Sequence, residues 1–219
     1  MIQLRCALFP VLIFLILLPT TATSGPDDNQ RPLVRQILEE MPSQLPTGCV
    51  GAAMTISALL PTVSVLAASE DTTGFAGVMQ TMENFIHATE AGPRRYLAIV
   101  LVGCAGMHAR WGRPEDAYRQ LGEVHDQVMS LHAEVQTEVH RLEDPDEEMA
   151  VYPETGCLLT VGVGVVHHAL GGWQETAERL GRSGLNETQQ AHLDAMSADL
   201  LPLEPEYATL AQKVDRLMK

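Results

Sequence analysis

His125, Met129 and His132 stand at i, i+4 and i+7, so on a helix they share one edge. Two imidazoles and a thioether on one edge could hold copper, the soft sulfur favouring the reduced ion, or could ligate haem iron. The simpler reading, which we adopt, is that they border an apolar core with their rings turned to solvent or to an acid. Cys104 and His108 stand one helical turn apart and form a second candidate metal pair. One turn supplies only two ligands, whereas zinc takes three or four from protein. His167 and His168 are adjacent, so they cannot both face one side of a helix.

Other chemical signatures are missing from the 219 residues. There is no GxSxG, HExxH or P-loop, so no catalytic residues are assigned and the chain is read as leaning away from enzymes. Gly162-Val-Gly164 begins like a dinucleotide loop without its third glycine or a βαβ setting, and reads as helix-packing glycine. The acidic run Glu143 to Glu148 lacks the spacing and central glycine of a calcium loop, and reads as a solvated linker. Asn186-Glu187-Thr188 is a glycosylation sequon that a helix cap explains equally well.

The elements that position these residues are read from periodicity and punctuation. Hydrophobic residues make up 46% of the chain and aromatics 5%, with Ala, Val, Leu and Met dominant, which favours helices over a β-sandwich. A long helix opens after Gly112 at Pro114, with Glu115 and Asp116 at its positive end. Ala117, Leu121, Val124, Val128, Leu131, Val135, Val139 and Leu142 give it one apolar stripe. A helix over about 71–90 places Phe75, Val78, Met79, Met82 and Ile86 on one face, and Pro93 opens the next, which runs through Tyr96 to Trp111. Gly171-Gly172-Trp173 reads as a turn into Gln174 to Leu180, and Asn186 with Gln189 as a capping box for a helix reaching Leu200. Tyr207, Leu210, Val214 and Leu217 stripe the last helix. The expected fold is all-α, a helical-hairpin bundle or short α-solenoid of about eight helices following a signal peptide.

The stretch Met107-His-Ala-Arg-Trp-Gly-Arg-Pro-Glu-Asp-Ala-Tyr-Arg-Gln-Leu121 resembles the inter-helix turn of a tetratricopeptide hairpin. Ala169-Leu-Gly-Gly-Trp-Gln-Glu-Thr-Ala-Glu-Arg-Leu180 is similar to it. The two turns lie about 60 residues apart, against a family repeat of ~34. The resemblance implies antiparallel helix pairs, stacked with a concave face for ligands. It covers these two turns alone, so it carries the hairpin geometry and not the family's function.

Compartment follows from the ends of the chain and its cysteines. Residues 1–24 read as a secretory signal, with Arg5, an apolar run from Ala7 to Leu18 and small residues at Ala22-Thr23-Ser24. Residues 25–48 read as a short helix over 32–41 and a linker, and 49–219 as the helical domain. Export leaves Cys49, Cys104 and Cys157, which allow one disulfide plus a thiol or three buried thiols. The net charge of −14 opposes binding to nucleic acid or an anionic membrane. The uncharged stretch 49–68 is long enough to span a bilayer, which makes a multispanning protein the alternative architecture. The reading reached is an exported, periplasmic or secreted protein that binds another protein, of adaptor, assembly-factor or toxin-neutralising type. Trp111, Tyr118, Trp173 and Tyr207 are its candidate partner-binding anchors, because exposed aromatics make good interface contacts.

Overall fold

Helix is the dominant state of the computed structural model, which describes residues 49–68, 72–143, 153–181 and 185–217. The signal, the 25–48 segment and the acidic run beyond Glu143 lie outside the described residues. The described chain is all-helical, with no strand among its residues. In order the elements are α1 (Cys49–Ala68), α2 (Thr72–Ala88), α3 (Ala91–Arg94), α4 (Ala98–Arg110), α5 (Pro114–Glu143), α6 (Pro153–Cys157), α7 (Val163–Leu180), α8 (Glu187–Leu200) and α9 (Leu203–Leu217). A 3₁₀ turn, Arg95–Leu97, joins α3 to α4, and a π-helical segment, Leu158–Gly162, joins α6 to α7.

Two of the expected stripes supply much of the core, with Val139, Leu210 and Val214 half-buried against it and the side chains of Phe75, Leu142 and Leu217 outside those described. Ala117, Leu121, Val124, Val128, Leu131 and Val135 of α5 are buried, as are Val78, Met79, Met82 and Ile86 of α2. Gly112 adopts φ +69°, the left-handed conformation that ends α4 cleanly, and Pro114 starts α5 where its missing N–H costs nothing. At the π-helical segment Gly162 lets α5 approach: a Cβ there would lie 3.3 Å from Val135 and 3.4 Å from Leu131. Asn186 and Gln189 form the capping box of α8, each side chain bonded to the other's backbone N–H.

Two expectations need correction. Gly171-Gly172-Trp173 is no turn; α7 runs through it without a break, and the next connection follows Leu180. The reason is packing. Gly172 faces Val102 so closely that a Cβ would sit 3.1 Å from its methyl, so the glycine serves a helix contact rather than a chain reversal. The segment through Tyr96 to Trp111 is likewise not one helix, since Arg95–Leu97 tightens into a 3₁₀ turn that buries Tyr96 and Leu97.

The contacts reveal a register. Gly172 meets Val102 and Thr176 meets Gly106, so α7 runs parallel to α4. Gln189 bonds Glu115, His192 bonds Tyr118 and Asp199 bonds His125, each pair 74 residues apart, so α8 runs parallel to α5. The pair α4–α5 is thus followed by a second pair, α7–α8, laid alongside it in the same direction. A disulfide between Cys49 and Cys157, with Cα atoms 6.0 Å apart, ties α1 to the start of the second unit and leaves Cys104 as a buried thiol.

Candidate functional site

The α5 edge carrying His125, Met129 and His132 faces the C-terminal helices. His125 Nε2 lies 3.2 Å from Asp199 Oδ2 on α8, and its Nδ1 lies 3.2 Å from Asp126 Oδ1. The Tyr207 hydroxyl of α9 and His132 Nδ1 share a hydrogen bond at 3.1 Å. Burial, and next the charge of Glu206, push the Tyr207 hydroxyl above its ordinary range, so it keeps its proton. Met129 packs half-buried against the core. The heptad spacing of the two histidines therefore matches a polar seam in which each ring holds a neighbouring helix.

Cys104 and His108 are buried on α4, but they serve different surroundings. Burial, and next the charge of Glu83, push the Cys104 thiol far up, which leaves it un-ionised and unreactive. His108 Nε2 donates to Glu83 Oε1 at 2.8 Å, and Gln120 Nε2 donates to the same oxygen at 2.7 Å. Glu83 and His108 are each 4% exposed and Gln120 is fully buried. Among the described residues, no group of three or more His, Cys, Asp or Glu side chains converges as a metal site would.

This three-residue network was not foreseen. Glu83 lies between Met82 and Ile86 on the buried side of α2, where a carboxylate needs partners to be tolerated. Burial by itself raises its pKa. Hydrogen bonds from His108 and Gln120, with the positive field of His108 and Arg119, outweigh that effect and hold the carboxyl below its ordinary range. The other side of His108 faces Asp116, with Nδ1 and Oδ2 3.9 Å apart. Signals existed in the sequence: an acid inside an apolar face, and a histidine one turn from a cysteine in a helix without acids. What the sequence withheld was that they face each other.

The aromatic candidates divide. Trp173 and Tyr207 are core residues, so neither offers a ring to a partner, which corrects the expectation for both. Trp173 lies mid-helix and donates its Nε1–H to the Leu121 carbonyl at 3.2 Å. Trp111 and Tyr118 are half-buried at the α4–α5 turn. Arg113 covers the Trp111 ring at 6.0 Å, and the Tyr118 hydroxyl lies 2.7 Å from His192 Nδ1. Only these two of the four present aromatic surface. Met54 of α1 and Leu201, between α8 and α9, are the large exposed apolar residues among those described, at 57% and 50%.

Thr155–Leu180 is long and apolar enough to cross a membrane by length and composition, and about two-fifths of its most apolar window is buried by neighbouring helices. No family model, curated protein or solved structure matches this chain.

Proposed function

We propose that this is an exported, water-soluble protein that binds another protein on a short stack of helical hairpins. The observation that carries the reading is the paired register: α7 beside α4 and α8 beside α5, each running with its counterpart. Side-by-side hairpins present surface in rows rather than closing a cavity around a reaction centre. The Trp111–Tyr118 corner, half-exposed at the first hairpin turn, supplies the anchor on that surface. The acidic composition selects against nucleic acid and favours a partner with basic residues at its rim. The Cys49–Cys157 pairing supports an oxidising compartment, as does the apolar leader.

The test is recovery of partners from the exported fraction of the host, using the wild-type chain and Trp111→Ala. The reading expects a defined partner that is retained by wild type and lost on Trp111→Ala, with the helical circular-dichroism signal unchanged. An identical set of proteins recovered by both chains contradicts it.

A further inference from the structure

Helix α8 is apolar on two sides. Leu193, Met196 and Leu200 turn inward and are buried. Opposite them Ala191, Ala195 and Ala198 recur at i, i+4 and i+7, all exposed. Their line ends at exposed Pro202 and at Leu201, which is 50% exposed. An outermost helix in a stack needs a polar outer face unless a further layer covers it. The charges around this face have one sign. From Glu187 to Glu206 the carboxylates Glu187, Asp194, Asp199, Glu204 and Glu206 are all exposed, and the segment holds no lysine or arginine. None of the five pairs with a lysine or arginine among the described residues. Glu187 and Asp194, at i−4 and i+3 from Ala191, stand on the same side of α8 as the alanines.

We propose that the outer face of α8 is covered by a basic amphipathic helix of a partner protein. Its apolar side lies against Ala191, Ala195, Ala198 and Leu201, and its lysines or arginines lie over Glu187 and Asp194. Small side chains let a second helix approach closely, and Leu201 supplies the large apolar contact. Charge decides the occupant. A second copy of this chain would set the same acids against one another, whereas a basic helix neutralises them. Docking of this kind places the partner's apolar anchors at i, i+3, i+4 and i+7. The inference rests on the protein-binding reading and names the partner's chemistry, on a surface that does not include Trp111.

The probe is an amphipathic helical peptide of leucine and lysine, 14 residues long to match α8, titrated into the purified chain by calorimetry. It is expected to bind more weakly as salt is raised, and a scrambled peptide of the same composition is expected to bind at least about tenfold more weakly than the amphipathic one. Ala195→Lys with Ala198→Lys puts two charges on the face at exposed positions where lysine is a good helix former, and is expected to weaken binding at least about tenfold. Gln80→Lys with Ala88→Lys, at exposed positions of α2, makes the same change in net charge and is expected to bind as wild type does. Leu201→Ser changes no charge and is also expected to weaken binding. Trp111→Ala is expected to leave the titration unchanged, so failure of the first-turn corner and failure of the α8 face are told apart. Equal loss in the α2 variant, equally tight binding of the scrambled peptide, or no binding at millimolar concentration would each overturn the proposal. Self-association of the chain in sedimentation, abolished by Ala195→Lys with Ala198→Lys, would assign the face to a second copy and overturn it as well.

Discussion

Glu83 on α2 and His108 on α4 meet in the core, Oε1 to Nε2 at 2.8 Å, with Gln120 of α5 bonded to the same carboxylate oxygen. Three helices are thereby pinned through one atom. Removing the carboxylate leaves two buried donors without a partner, so Glu83→Ala is expected to cost about 3–5 kcal/mol. Urea unfolding at pH 7 reads the loss. Glu83→Gln retains volume and an acceptor, and is expected to cost less.

The same carboxylate makes stability depend on acid. Its folded pKa lies below the ordinary carboxylate value, so its contribution is complete above that value and disappears as pH falls through the lower folded pKa. Urea midpoints measured between pH 6 and pH 3 are expected to fall for the wild type more steeply than for Glu83→Gln. Parallel curves for the two chains would remove Glu83 from the acid response.

Cys49 and Cys157 lie 108 residues apart in sequence, and Cys104 is buried and un-ionised. Closing a loop of that length restricts the unfolded chain by about 4.7 kcal/mol on the chain-entropy account. Reduction is expected to lower the melting temperature markedly, and Cys49→Ser should match Cys157→Ser in its effect. Alkylation of the oxidised chain after signal removal is expected to modify no thiol when native and one thiol in denaturant. Three thiols in denaturant would contradict the pairing.

The Tyr207–His132 bond predicts a measurable coupling between α9 and α5. A double-mutant cycle with Tyr207→Phe and His132→Ala is expected to return about 0.5–1.5 kcal/mol, the net worth of a typical hydrogen bond, here between a buried hydroxyl and a half-buried ring. A coupling of zero would leave the seam without an energetic role.

Copper distinguishes that seam from a metal edge. With His125 held by Asp199 and His132 by Tyr207, equimolar copper(I) is expected to leave the melting temperature within a degree or so of its starting value. A rise of several degrees that disappears in His125→Ala would restore His125, Met129 and His132 as ligands.

Much of the fold was legible because helices announce themselves locally. The α5 stripe from Ala117 to Val135, the Gly112–Pro114 turn and the Asn186–Gln189 cap all depend on neighbours within a few residues, and all stand where expected. The disulfide with a leftover thiol was one of two alternatives that cysteine counting allowed. Apart from the 3₁₀ turn at Arg95–Leu97, the errors share a source: a residue whose role is set by a distant helix. Gly172 has the same local appearance whether it reverses the chain or admits Val102, and only the partner helix decides. Trp173 follows it into the core. His125 and His132 of α5 were placed correctly on one edge, but what faced that edge lay some 74 residues away.

The parallel register of α5 and α8 is the claim on which the stacked hairpins and their binding role depend, and cysteine cross-linking tests it directly. In a Cys104→Ser background, the pair Glu115→Cys with Gln189→Cys should form a disulfide under mild oxidation, and Tyr118→Cys with His192→Cys should do the same. Efficient closure of Glu115→Cys with Asp199→Cys, alongside failure of both parallel pairs, would mean the helices run in opposite directions and would dismantle the stack.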